Sequence, residues 1–192
     1  YNFVANISDD SCEYPEQGYD CDGNYSGPLW YVSENGSDDF GYGSIDQPFQ
    51  SIQYAINVSN NGDTIFVASG SYTENINFNG KNISLIGAEK TNTIISAADL
   101  STPIITFNLN EVSFISGFTL NGGENSAINI QNASPHITNM IVSGNSSFDG
   151  GAFYISSSSV NISNCIIENN YANDQGGGIY IRSFSNVYMS NI

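Results

Sequence analysis

The chain has 192 residues, with 19 Asp and Glu against 3 Lys and Arg and a formal net charge of −16. So few cations cannot release counterions from a phosphate backbone, which excludes nucleic acid as a partner. No run approaches the roughly 18 apolar residues of a membrane span, so membrane insertion through a helix is excluded too.

Only 11 % of residues are charged. Polarity comes from Asn, Ser, Thr and Gly, and Val, Ile, Phe and Tyr supply the apolar part. That mixture favours pleated strands broken by bends. The first reading is all-β.

Residues 1–28 form an acidic Cys/Asp-rich segment, from Asp9-Asp10-Ser11-Cys12 through Asp20-Cys21-Asp22-Gly23-Asn24. It holds too little apolar surface for a core, so a disulfide or a cation would have to order it. Cys12 and Cys21 can close a small loop. Asp10, Asp20 and Asp22 offer the oxygens that calcium prefers, although their spacing is not that of an EF-hand. The segment resembles short Cys/Asp repeats of secreted proteins, with Tyr25 where a further Cys would stand. Tyr1 opens directly into polar sequence without a signal peptide, which implies a mature or trimmed chain.

Residues 29–63 read as an N-terminal cap. Leu29-Trp30-Tyr31-Val32-Ser33 opens it, and Pro48 to Ile56 reads as the one helix. Phe49, Ile52, Ala55 and Ile56 fall on one apolar face, and Pro48 suits the first turn. Asn60-Asn61-Gly62-Asp63 predicts a turn and Thr64 to Ala68 a strand.

Residues 64–192 repeat themselves. Phe114-Ile115-Ser116-Gly117-Phe118 aligns with His136-Ile137-Thr138-Asn139-Met140, then with Asn161-Ile162-Ser163-Asn164-Cys165 and Tyr188-Met189-Ser190-Asn191-Ile192. Ala127-Ile128-Asn129-Ile130 aligns with Ala152-Phe153-Tyr154-Ile155 and Gly178-Ile179-Tyr180-Ile181. Such a period, with short strands broken by Gly and Asn, means one solenoid turn per repeat. The predicted fold is an all-β, right-handed parallel β-helix with a short N-terminal capping helix. Ile115, Ile137, Ile162 and Met189 should stack in one interior column, and Phe118, Met140, Cys165 and Ile192 in another. Cys165 is then a buried free thiol. Asn139, Asn164 and Asn191, with Gly117 before them, sit at the bend, where Asn tolerates left-handed backbone and stacked amides can bond.

Two stretches carry a family likeness. Tyr31 to Asp38, Pro48 to Ile56 and Gly62 to Ile76 resemble the N-terminal cap and first coil of pectate-lyase-like proteins. Asn164 to Asn170 and Gly176-Gly177-Gly178-Ile179-Tyr180 are similar to repeats of bacterial surface β-helix adhesins. The resemblance implies a secreted or cell-surface setting. It does not imply one activity, because this fold hosts lyases, hydrolases, adhesins and spacers.

A lyase would need an Arg or Lys base beside calcium held by several Asp. Lys81, Lys90 and Arg182 are the only bases of that kind, and no carboxylate shares the strand offset of Arg182. Asp149 and Asp174 precede Gly runs and read as turn residues. His136, the lone histidine, reads as a surface residue. Eight Asn-x-Ser sequons, at Asn6, Asn24, Asn35, Asn57, Asn82, Asn132, Asn145 and Asn161, matter only in a glycosylating cell.

Period-two alternation turns Asn129, Tyr154 and Tyr180 outward in one column, with Gln131, Ser156 and Arg182 in the next. Asn129, Tyr154, Tyr180 and Arg182 are therefore candidates for contact with a polysaccharide or cell-surface glycan. The expected function is non-catalytic: surface structure, adhesion or glycan contact. The alternative is the N-terminal part of a secreted, calcium-dependent polysaccharide lyase. The repeat stops at Ile192 in mid-motif, which implies either further coils or self-association through the C-terminal coil, end to end.

Overall fold

Along each short run of this chain, apolar residues alternate with polar ones, and a strand with one buried face must stack on another like it. The computed structural model, which describes residues 28–192, shows how that need is met. Three ribbons of parallel strands wind about one interior. The first sheet has seven strands: Leu29–Val32, Thr64–Val67, Ser84–Gly87, Phe114–Ser116, His136–Thr138, Ser159–Ser163 and Asn186–Ser190. The second has five: Gly70–Thr73, Thr93–Ser96, Thr119–Asn121, Ile141–Ser143 and Ile166–Glu168. The third also has five: Ile76–Asn77, Ile105–Phe107, Ile128–Gln131, Phe153–Ser156 and Ile179–Arg182. A two-stranded sheet, Ser146–Asp149 with Tyr171–Gln175, lies between the second and third ribbons of the later coils. The chain is a parallel β-solenoid of about five turns.

The predicted columns are in register. Ile115 pairs with Ile137, Ile137 with Ile162, and Ile162 with Met189. The three isoleucines are fully buried, each contributing about 1.5–3 kcal/mol of burial. Met189, however, is 48 % exposed, since no coil covers it on the far side in this structure. Phe118, Met140 and Cys165 are buried behind the bend, while Ile192 is exposed for the same reason as Met189. Gly117, Asn139, Asn164 and Asn191 all have positive φ, from 52° to 86°. The expected amide ladder is partial: Asn191 Nδ2 donates to Asn164 Oδ1 at 3.0 Å, but Asn164 Nδ2 reaches Thr138 Oγ1 instead of Asn139.

The cap departs from expectation in its boundaries. The helix runs Ile52–Val58, so Pro48 lies outside it. Phe49 makes a parallel bridge with Val32 instead of a helical turn. Two carboxylates hold the break in place. Asp38 accepts from the Gln50 and Ser51 amides and the Ser51 hydroxyl. Glu74, from the first coil, accepts from the Ile52 and Gln53 amides at 2.9 and 2.8 Å. These satisfy orphan donors of the first helical turn. Ile52, Ala55 and Ile56 are fully buried over the strands of the first coil, so the helix closes that end.

Candidate functional site

The third sheet carries the predicted outward column. Asn129 stands opposite Tyr154, and Tyr154 opposite Tyr180; Gln131, Ser156 and Arg182 follow in the neighbouring column. The inward partners Ile128, Ile130, Phe153 and Ile155 are fully buried and fix the register, because a one-residue slip would bury the tyrosines. Ile181, on the last coil, is 42 % exposed. The column also extends backward, through Thr106 opposite Asn129 and Asn77 opposite Thr106. The repeat alignment misses these two because the turn after Ser96 lengthens that coil. The inward flanks Ile76, Ile105 and Phe107 were the available signal.

Tyr154 and Tyr180 form a tilted pair with ring centroids 5.6 Å apart. Arg182 Nη1 donates to the Tyr154 hydroxyl at 3.1 Å, which pins an exposed cation to the edge of the pair. Gln131 Nε2 donates to Asn129 Oδ1 at 3.0 Å on the coil before Tyr154. The result is two half-buried aromatic rings flanked by a guanidinium and two amides. Such a surface can stack on the apolar face of a sugar ring and hydrogen-bond its hydroxyls.

The other groups singled out in the sequence have structural partners. Lys81 Nζ donates to the Ile56, Asn57 and Ser59 carbonyls at 2.7–2.8 Å, closing the C-terminal end of the helix. Partial burial there holds its pKa below the usual lysine value. His136 is exposed and packs edge-on against Phe114 at 5.4 Å. Asp149 and Asp174 lie on the strands of the two-stranded sheet, not in turns, because the segments before the Gly runs pair with each other. Asn145 is buried and fully bonded, which closes that sequon to a glycan. Asp10, Asp20, Asp22, Cys12 and Cys21 lie outside the described residues.

A cleft of about 280 Å³ opens between Glu34, Ser71, Tyr72 and Glu74 at the junction of cap and first coil. Its carboxylates are engaged with backbone: Glu34 accepts from the Ser71 amide, and Glu74 caps the helix. Burial raises the Glu74 pKa above the ordinary carboxylate value. Tyr72 donates to the Ala68 carbonyl, and burial pushes its pKa up to about 12. Among the described residues no three His, Cys, Asp or Glu side chains stand close enough to hold a metal ion. None of the helices there is long and apolar enough to cross a membrane.

No family model, curated protein or solved structure matches the chain.

Proposed function

We propose that this chain is a non-catalytic, secreted or cell-surface β-helix of the pectate-lyase-like kind, whose third sheet contacts glycans. The observation that supports this reading is the Tyr154–Tyr180 pair, held in register on a parallel sheet with Arg182 and Asn129 at its edges. Tyrosines stacked in this way give large contact area at low conformational cost, as at other recognition surfaces. The acidic character of the chain favours neutral glycans over polyanionic ones, because like charges repel.

Calorimetric titration with neutral and uronic-acid oligosaccharides tests the reading. Binding that falls about tenfold or more in Tyr154→Ala and Tyr180→Ala, for a loss near 1.4 kcal/mol, supports the platform. No binding, or binding indifferent to both substitutions, overturns it. The same samples, incubated with oligouronide with and without calcium, test the lyase alternative through the absorbance of an unsaturated product.

A further inference from the structure

Four Asn-Gly pairs occur in the described residues: Asn35-Gly36, Asn61-Gly62, Asn79-Gly80 and Asn121-Gly122. This dipeptide is prone to self-modification, since an unhindered glycine amide nitrogen can attack the preceding side-chain amide. In a folded chain the reaction needs that nitrogen to be free. Gly36 N donates to the Ser33 carbonyl at 2.8 Å and Gly62 N to the Asn82 carbonyl at 2.8 Å. Gly80 N donates to Glu111 Oε1 at 3.1 Å. Each of these bonds must open before attack.

Gly122 differs on two counts. Its amide meets no acceptor, because the pairing of Thr119–Asn121 with Ile141–Ser143 ends at Leu120 and Val142. It has φ +75°, with nothing within 4 Å of where a Cβ would stand, so the corner is open. Asn121 Oδ1 also accepts from Ser96 Oγ at 2.6 Å, which draws electrons from the amide carbon that would be attacked, as the Asn82 amide does at Asn61 Oδ1.

We infer that Asn121 is the self-modification site of the folded solenoid, converting to aspartate and isoaspartate. The Gly122 nitrogen forms a bond to Asn121 Cγ, the Cγ–Nδ2 bond breaks, and the displaced nitrogen leaves with the amide proton as ammonia. Water then opens the cyclic imide at either carbonyl. The aspartate product places a new side-chain carboxylate beside Ser96 on the second sheet, whereas in the isoaspartate the freed carboxylate is the former main-chain carbonyl of residue 121. The isoaspartate also adds a backbone methylene at the end of that strand, which breaks the Asn121–Ser96 register.

The test is incubation of the folded chain in mildly alkaline buffer at physiological temperature, followed over weeks by peptide mapping and enzymatic isoaspartate labelling. Asn121 should convert about tenfold faster than Asn35, Asn61 or Asn79, the ratio given by opening one hydrogen bond. In denaturant the four pairs should convert at similar rates, which would show that the fold makes the difference. Equal rates among the four in the folded chain, or Asn121 intact while another pair converts, would overturn the inference. Asn121→Gln should remove the leading product and leave the rest of the map unchanged.

Discussion

Asn145 is the side chain on which the later coils depend most heavily for polar satisfaction. It is buried to 1 % exposure. Its Oδ1 accepts from the Gly123 amide at 3.0 Å, and its Nδ2 lies 3.0–3.1 Å from the Leu120 and Ser143 carbonyls and Asn170 Oδ1. Asn170 repeats the arrangement one coil on, donating to the Val142 and Glu168 carbonyls. Asn145→Ala strands one donor and up to three acceptors in the interior, at about 1–3 kcal/mol for each group left without a partner. Asn170 Oδ1 keeps its bond from the Asn145 backbone amide and Leu120 keeps its pairing with Val142, so the expected net loss is about 3 kcal/mol. At about 2–4 °C per kcal/mol for a chain of this size, the melting temperature should drop by about 6–12 °C. Asn145→Asp is the sharper variant. It keeps the acceptor for Gly123 but aims a second oxygen at three others, so at neutral pH it should be less stable than Asn145→Ala. Burial and the facing oxygens raise the carboxyl pKa of this variant. Protonation below that pKa restores a donor, and the deficit should shrink as pH falls. Thermal and denaturant melts of both variants from acid to neutral pH decide it. A loss under about 0.5 kcal/mol for Asn145→Ala, or an Asn145→Asp deficit that grows toward acid, would refute the reasoning.

Ile137→Ala, in the centre of the stacked column, should cost about 2–5 kcal/mol in denaturant melts, whereas Met189→Ala on the exposed last coil should cost under about 1 kcal/mol. Lys81→Met leaves three helix-end carbonyls to water. With discount for its partial exposure, calorimetry should show a loss of about 1 kcal/mol. The folded-state pKa of Tyr72, raised to about 12, adds stability that is fully present below the ordinary tyrosine value of 10.0 and disappears as pH rises through about 12. Melts across that range should steepen for the parent chain relative to Tyr72→Phe. Cys165 is buried with its pKa raised by burial, so it should resist alkylation until the chain unfolds, as mass spectrometry of native and denatured samples would show.

The solenoid was legible because a stacked fold writes its interior into the sequence at a fixed spacing. Ile115, Ile137 and Ile162 could be aligned before any coordinates, as could the left-handed corner at Gly117, Asn139 and Asn164. The candidate face was legible for the same reason, since fixing Phe153 and Ile155 inward fixes Tyr154 outward. What escaped depends on contacts between repeats of unequal length. The helix start was misplaced because its N-terminal partners, Asp38 and Glu74, lie 13 and 22 residues from Ser51 and Ile52 respectively. No local pattern couples positions so far apart. Asn145 and Asn170 were hidden in a chain rich in Asn, where a buried amide looks like any turn residue. The role of Lys81 was equally invisible: its acceptors are backbone carbonyls, which leave no mark in the sequence.

The outward columns pose a different problem, because nothing in the fold dictates them. Tyr154 and Tyr180 are held by Phe153, Ile155 and Ile179 on the opposite face of their strands, and other outward residues could be held there in the same register. Their spacing is therefore inherited from the core, while their identity is free to answer to a ligand. This makes the platform unusually easy to test. Tyr154→Ala and Tyr180→Ala remove half-exposed rings, whose pairing contributes about 0.5–1.5 kcal/mol, and should leave the coils wound. Ile155→Asn would instead bury an amide without partners and disturb the whole rung. If binding is lost in the tyrosine variants while their melts stay within about 1.5 kcal/mol of the parent, the loss reports contact and not misfolding. If their melts collapse as Ile155→Asn should, the pair belongs to the architecture and the glycan reading fails.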